Sequence, residues 1–396
     1  MNKEMKLTPE LRFPEFNDEE DWGEKLLSDV CEITNGKANA QDHTEDGLYP
    51  LFDRSEVIKA TNNYIFDCEA VIIPGEGMRF IPKYYEGRFN LHQRAYALKD
   101  FSCIGRFVYY SMFYRSNLIS QKAVRSTVLS LRLPILQNFP IEIPSNPDEQ
   151  QKIASCLTSL DELLAAHNEK LEALKDHKKG LLQNLFPQEG ETVPKVRFPE
   201  FEGDGEWVEN ELGKICDVRD GTHDSPKYVS DGYPLITSKN LFENGAMDFE
   251  NVSYLTQEDY DKINQRSKVD VGDILFGMIG TIGNPVIVKR DGFAIKNVAL
   301  IKTKGLLEQE YLIQLLKSNY IDIQFQKANA GGILKFIALG MIRKLIIPTP
   351  KKEEQQKIAS CLSAVDELIT AQQEKIEQLQ QHKKGLMQGL FPKIES

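Results

Sequence analysis

Two stretches of the chain carry apolar residues in steps that alternate between four and three. In the first they fall at Ile153, Leu157, Leu160, Leu164, Leu171, Leu174, Leu181 and Leu185, with His167 and Lys178 at the intervening steps. In the second they fall at Ile358, Leu362, Val365, Ile369, Ile376, Leu379, Leu386 and Leu390, with Gln372 and Lys383 completing the rhythm. Sustained over more than four heptads, this spacing predicts the a and d seam of a coiled coil. Each stripe is too narrow to be buried in a globular core, so each helix needs a helical partner, and each is the other's obvious one. About 39 residues at roughly 1.5 Å each predict a rod of roughly 58 Å. The polar seam positions either set register or reach out along the rod's edge.

The two stretches are copies of one another. Glu149–Pro187 and Glu354–Pro392 match at 26 of 39 positions without a gap, at an offset of 205. Upstream, Arg12-Phe-Pro-Glu-Phe16 with Trp22 and Cys31 corresponds to Arg197-Phe-Pro-Glu-Phe201 with Trp207 and Cys216, at an offset of 185. The chain therefore reads as a duplicated unit. A globular part over 1–146 is followed by a helix over 147–190, a second globular part over 191–350 and a second helix over 351–396. The short link from Pro187 to Arg197 favours an antiparallel pair of helices, with the two copies related by a pseudo-two-fold axis. A parallel pair would oblige the second globular part to run back along the rod.

Within the globular parts, Ala70–Ile73 and Ile274–Phe276 read as strands beside Gly-rich turns, Pro74–Gly77 and Gly277–Asn284. A second strand is predicted over Phe89–Lys99 and Phe293–Lys302. A short amphipathic helix follows, then Gln121-Lys-Ala123 or Gln326-Lys-Ala328. The offset grows from 185 at Gly36/Gly221 to 204 at Phe89/Phe293, so the extra length of the second copy lies between those points. The expected fold class is α+β, with two globular α/β parts separated by an antiparallel two-helix coiled coil.

Composition removes several classes of function. The six cysteines form no CxxC pair and no cluster with zinc spacing, and Cys156 and Cys361 read as small buried thiols. No basic-then-apolar leader opens the sequence and no stretch approaches the ~20 apolar residues of a membrane span. A reduced, cytoplasmic protein is expected. Neither Gly-rich turn is a phosphate-binding loop, because no GK[ST] follows and Gly277–Asn284 opens no helix. No Asn/Asp-Pro-Pro-aromatic tetrapeptide, paired-carboxylate nuclease pattern or Ser/His/Asp arrangement is present. His43, His92 and His223 are single histidines in polar loops, suited to hydrogen bonding or solvation rather than catalysis.

The net charge of −11 argues at first against a nucleic-acid partner, since phosphates need cations. Its distribution changes the picture. Residues 51–140 carry 12 Lys/Arg against 7 Asp/Glu, and eight of the twelve are arginine, the side chain suited to phosphates and guanine edges. Residues 217–346 are balanced at 16 against 16. Chance clustering on a solvated surface is the lesser alternative. Side chains able to read bases or hold phosphates in the first copy are Lys37, Arg79, Arg88, Asn90, His92, Gln93 and Arg94. In the second they are Thr222, His223, Lys227, Tyr228, Ser238, Lys239, Asn240, Thr281, Asn284, Lys296, Asn297 and Lys335. A structural or solvent-facing role is the plain alternative for each.

These motifs resemble the specificity subunits of type I restriction–modification systems over essentially the whole chain. The twin EQQKIASCL…HKKGL…LFP helices look like that family's two conserved regions. Asp220-Gly-Thr-His-Asp-Ser-Pro226 through Gly232-Tyr-Pro-Leu-Ile236 looks like the opening of its target-recognition domains. Gly272–Phe276 with Gly280–Gly283, and the run from Gly331 to Pro348, look like later parts of that domain. The first copy departs from the pattern, with Asn35-Gly-Lys37 in place of Asp220-Gly-Thr222 and Phe89–Arg94 in place of a different strand. The resemblance implies a chain without catalytic machinery or cofactor of its own. Each recognition domain would read half of a split, asymmetric double-stranded DNA target, and the coiled coil would set the spacer. Two modification subunits carrying S-adenosylmethionine, and restriction subunits using ATP and Mg, would be its partners. Three other readings stay open: a specificity subunit of a fused restriction–methylation enzyme of another type, a coiled-coil adaptor that binds proteins, and an enzyme of unrecognised mechanism.

Overall fold

The computed structural model holds both long helices and the strands at Ala70–Ile73 and Ile274–Phe276, and it divides each of the two longer predicted strands in two. Residues 7–124, 128–328 and 336–393 are described. The chain divides into two compact units, one of residues 1–168 with 374–396 and the other of residues 169–373. Both boundaries fall within the two long helices, Pro147–Asn184 and Lys352–Leu390. No helix among the described residues is long and apolar enough to cross a membrane.

The first unit contains strands β1 (Gly23–Leu26), β2 (Glu32–Asn35), β3 (Tyr49–Phe52), β4 (Lys59–Thr61), β5 (Phe66–Pro74), β6 (Glu76–Gly77), β7 (Lys83–Leu91), β8 (Ala95–Lys99), β9 (Leu129–Ser130) and β10 (Pro140–Ile143). Six of these form one sheet in the order β2-β8-β5-β7-β3-β4. Alternation along β5 builds a core on both faces, as period-2 side chains must. Val71 and Ile73 join Phe107, Val108, Ile153 and Leu157 on one face, while Ala70 and Ile72 join Phe52, Phe89 and Leu91 on the other. The predicted strand Phe89–Lys99 is in fact two strands. β7 and β8 flank β5 on opposite sides, so the chain must cross the end of β5, and it does so through His92–Arg94 with Gly75 N–H donating to Arg94 O at 2.8 Å.

The second unit contains β11 (Val208–Glu211), β12 (Cys216–Asp220), β13 (Tyr228–Val229), β14 (Tyr233–Thr237), β15 (Ser253–Leu255), β16 (Ile274–Gly277), β17 (Gly283–Ile287), β18 (Ala294–Lys296), β19 (Val298–Thr303) and β20 (Ile346–Thr349). Here eight strands form two four-stranded sheets, β12-β19-β16-β17 and β13-β15-β14-β18, and β11 pairs with β20. The predicted strand Phe293–Lys302 breaks at Asn297, whose φ of 55° lies in the left-handed region that asparagine tolerates. That one residue passes the chain from one sheet to the other. The added length of the second copy includes a helix, Gln257–Ser267, capped by the Thr256 hydroxyl, which accepts Asp259 N–H. The predicted amphipathic helices are present as pairs, Gly105–Tyr114 with Ser116–Lys122 and Gln309–Leu316 with Asn319–Ala328.

All sixteen apolar seam positions of the long helices are buried or half-buried. In the first unit Asp161 pairs with Lys383, while Ile153 and Leu157, earlier in their helix, share a cluster with Met387, Leu390 and Phe391, later in theirs. The two segments in that unit therefore run antiparallel. The second unit repeats the arrangement. Lys178 Nζ lies 2.5 Å from Asp366 Oδ1, and Leu185 clusters with Ile358 and Leu362. The lysines at the polar seam steps thus form ion pairs. Lys383 also lies over the Tyr110 and Phe113 rings. The six cysteines are free thiols, and Cys156 and Cys361 are half-buried rather than fully enclosed.

The two matching sequence blocks of each copy prove to be bonded to one another. Arg12 makes a two-pronged contact with Glu149, Nε to Oε1 at 2.8 Å and Nη2 to Oε2 at 2.7 Å. Arg197 repeats it on Glu354 at 2.7 and 2.7 Å. Both glutamates are fully buried in the first turn of their helix, where the helix dipole favours negative charge. The next residues, Gln150 and Gln355, receive the Ile104 and Glu308 N–H groups ahead of the following helix. Removing one member of a buried ion pair strands the other, at a cost of about 3–5 kcal/mol. Glu149→Ala and Arg12→Ala should each lose about that much in denaturant unfolding of the first unit, and the double variant should lose clearly less than the sum.

Candidate nucleic-acid interface

A shared backbone frame underlies the polar loops of both units. In the first, Ala38 N–H donates to Leu91 O at 3.1 Å and Gln93 N–H donates to Ala38 O at 2.9 Å. In the second, Thr222 N–H donates to Ile295 O at 3.0 Å and Asn297 N–H donates to Thr222 O at 3.2 Å. Gly36 and Gly221 permit this approach, since a Cβ at either would collide with the carbonyl of Leu91 or Ile295. The same scaffold therefore carries two different sets of side chains.

In the first unit the frame brings Lys37, His92, Gln93 and Arg94 together. Gln93 Nε2 donates to Asn39 Oδ1 at 2.9 Å, and Asn35 Nδ2 reaches Gln93 O at 3.3 Å. The crossing at Gly75 adds the β6 turn, where Glu76 receives both Arg94 Nη1 contacts at 3.0 and 2.9 Å, with Arg54 at 3.8 Å. Arg79 follows that turn and is exposed, beside a Met78 that is 80% exposed. His92 Nδ1 accepts Arg94 N–H, and His43 Nδ1 lies 3.1 Å from Ala60 O, so these histidines are hydrogen-bonded loop residues. Arg88 is engaged elsewhere, at 2.9 Å from Asp67 and over the Tyr64 ring. Asn90 is buried, and its amide bonds to Asn63 O and Leu91 N–H, so it belongs to the scaffold rather than to a reading surface.

In the second unit Thr222, His223, Lys296, Asn297 and the Gly277–Thr281 turn converge. Ser238 ties them together while buried itself: its hydroxyl donates to Asn297 O at 3.0 Å and accepts Met278 N–H at 3.1 Å. Asn240 is likewise buried, with Oδ1 accepting from Thr237 and Nδ2 donating to Asn251 O. These two positions build the loops instead of facing outward. Lys239 between them is exposed, as is Thr281. Asn284, at φ 45°, donates to Leu241 O, and Lys227 and Tyr228 are exposed at the start of β13, next to the Gln257–Ser267 helix. Lys335 lies outside the described residues. Among the described residues Lys37, Arg79 and Lys239 form no ion pair, which leaves their charge available to an anionic partner.

Some participants escaped the sequence reading. Arg54 lay within the arginine-rich stretch, and Asp220 directly precedes the Gly-Thr-His motif, so both carried a local signal. Arg266 carried none: it reaches Asp220 from a helix 46 positions further along the chain. Ile279 and the 61%-exposed Phe336, joined by a β-bridge, add an apolar edge to the same rim. The bond from Asp220, followed by that from Asn297, holds the His223 imidazole above the ordinary histidine range, with Arg266 opposing. No group of His, Cys, Asp and Glu suited to a metal ion occurs among the described residues.

Comparison with known proteins gives a consistent picture. The profile of the family described as type I restriction modification DNA specificity domain matches residues 19–176 and 204–381. The specificity subunit of the type I restriction enzyme MjaVIII from Methanocaldococcus jannaschii is 24% identical, over 94% of this chain and 92% of its own. That of EcoDI from Escherichia coli is 22% identical, over 85% and 80%. Among solved structures, the type I restriction–modification S subunit from M. genitalium superposes with a TM-score of 0.66 at 16% identity, covering 98% of this chain and 100% of that one.

Replacing Gly221 by alanine forces a carbonyl and a Cβ into the same space. Gly221→Ala should destabilise the second unit by about 1–3 kcal/mol. Hydrogen exchange should quicken at Thr222 and Asn297 while the amides of β5 keep their protection.

Proposed function

The chain belongs to the type I restriction–modification DNA specificity family, and on that footing we propose that it reads a bipartite, asymmetric double-stranded DNA target with one unit per half. The observation that carries the proposal is the repeated loop frame: one backbone arrangement displays Lys37, His92, Gln93 and Arg94 in one unit and Thr222, His223, Lys296 and Asn297 in the other. A shared scaffold with unlike side chains suits two different half-targets. Arg79, Arg94, Lys37, Lys239 and Lys296 supply phosphate contacts, and Gln93, Asn297, Thr281 and His223 are the readers of base edges.

In this reading the long helices form an antiparallel coiled coil that fixes the unread spacer, and the ion pairs of Lys178 with Asp366 and Lys383 with Asp161 set its register. Modification subunits bearing S-adenosylmethionine dock on it, and restriction subunits supply ATP- and Mg-dependent cleavage. The chain lends its specificity to both activities and catalyses neither, in the cytoplasm. Affinity of the chain, assembled with its modification subunits, for target duplex is expected to fall about 10³-fold between ~50 and ~200 mM salt if about six phosphates are neutralised. Arg79→Ala should reduce the slope by about 1 without changing the sequence preferred. Affinity indifferent to salt would favour an adaptor of proteins instead.

A further inference from the structure

Asp220, His223 and Asn297 form a hydrogen-bonded row at the rim of the second unit that a neutral histidine completes only if the Asn297 amide is reversed from its present orientation. His223 Nε2 lies 2.9 Å from Asp220 Oδ2, and Nδ1 lies 2.8 Å from Asn297 Oδ1. Both partner atoms are acceptors, so the row needs a proton on each ring nitrogen. Asp220 is buried and bound to Arg266 through its other oxygen, which holds it as an acceptor toward the ring. The Asn297 backbone is pinned by Thr222 O, by the Ser238 hydroxyl and by Met278 N–H. Its side-chain amide is the part that can turn, and Nδ2 has no partner among the described residues.

We propose that His223 and Asn297 are a specificity-determining pair, in which the proton on the ring decides whether Asn297 offers DNA a donor or an acceptor. With both nitrogens protonated, Oδ1 receives Nδ1–H and the Nδ2 hydrogens remain available, which suits guanine O6 or a purine N7. When the ring releases one proton to solvent, Nε2–H stays with Asp220 and Nδ1 becomes an acceptor. Asn297 then turns its amide to donate Nδ2–H to the ring, and Oδ1 is presented, which suits the amino group of adenine or cytosine. The charged groups around the ring are Asp220 and Arg266, with Lys296 on β18 held 3.4 Å from the Ser225 hydroxyl. Because Asp220 raises the titration of His223, the donor state persists above the pH at which a free histidine would lose it.

The specificity role rests on the reading that this unit binds DNA, whereas the amide reversal does not, and two measurements separate them. In the full chain with ¹⁵N-labelled histidine and asparagine, His223 is identified by the signals lost in His223→Gln. Its midpoint should lie above ~6.5, with an Nε2–H tautomer beyond it and the Asn297 side-chain amide shifting at the same midpoint. A midpoint at or below the ordinary value, an Nδ1–H tautomer, or an Asn297 amide indifferent to the titration overturns the proposal. For the DNA arm, the chain with its modification subunits binds duplexes differing at single base pairs of the second half-target. Preference at one position should change about five- to tenfold across the midpoint, and His223→Gln should abolish that change. Undiminished binding with a pH-independent preference overturns the specificity role. Amide reversal without DNA binding at any pH would overturn the DNA reading of this unit instead.

Discussion

Everything in each unit is hung from one buried ion pair at the start of a long helix. Arg12 with Glu149, and Arg197 with Glu354, set a largely covered guanidinium against a fully buried carboxylate. Desolvating two charges is costly, and in the first unit further hydrogen bonds surround the pair, whereas in the second Trp207 Nε1, the counterpart of Trp22, is buried without a partner among the described residues. Arg12 also donates to the Glu19 and Glu20 carbonyls, and Trp22 Nε1 donates to Glu149 Oε1 at 3.2 Å. The residue after the glutamate then holds the backbone entering the Gly105–Tyr114 or Gln309–Leu316 helix. A segment near the start of each copy, a long helix and a short helix are thereby fixed to one another. The loops that carry the candidate readers depend on the sheet and helices so anchored.

The same accounting explains why a chain of net charge −11 can still suit a polyanion. Many of its acids are spent inside the structure: Glu149 and Glu354 on arginines, Asp161 and Asp366 on the seam lysines, Asp220 on Arg266 and His223. Glu76 shows the opposite case, since it holds Arg94 and Arg54 at the loop edge where a phosphate could replace it. The summed charge therefore says little about the face that would meet DNA.

How legible this was in the sequence depended on the range of the interactions. The long helices, Pro147–Asn184 and Lys352–Leu390, follow from a heptad rhythm that is local. The duplication located the extra segment of the second copy, where the Gln257–Ser267 helix stands. The strand breaks at His92–Arg94 and at Asn297 were hidden, because continuous β-forming residues conceal a crossing that only the partner strands impose. Asn90, Ser238 and Asn240 looked like readers because polar residues near glycine-rich turns are equally suited to holding a loop or reading a base. Only burial tells the two apart. Arg266 could not have been found, as nothing local ties it to Asp220.

The central claim is that two readers with separate half-targets are joined by helices of fixed length. Mapping methylated adenines in a genome that expresses the chain with its modification subunits, before and after about four residues (roughly one turn) are added to each long helix, tests it directly. The account predicts one bipartite motif whose two halves stay the same while the unread gap changes. A changed half-target, or a contiguous site with no gap, would contradict it.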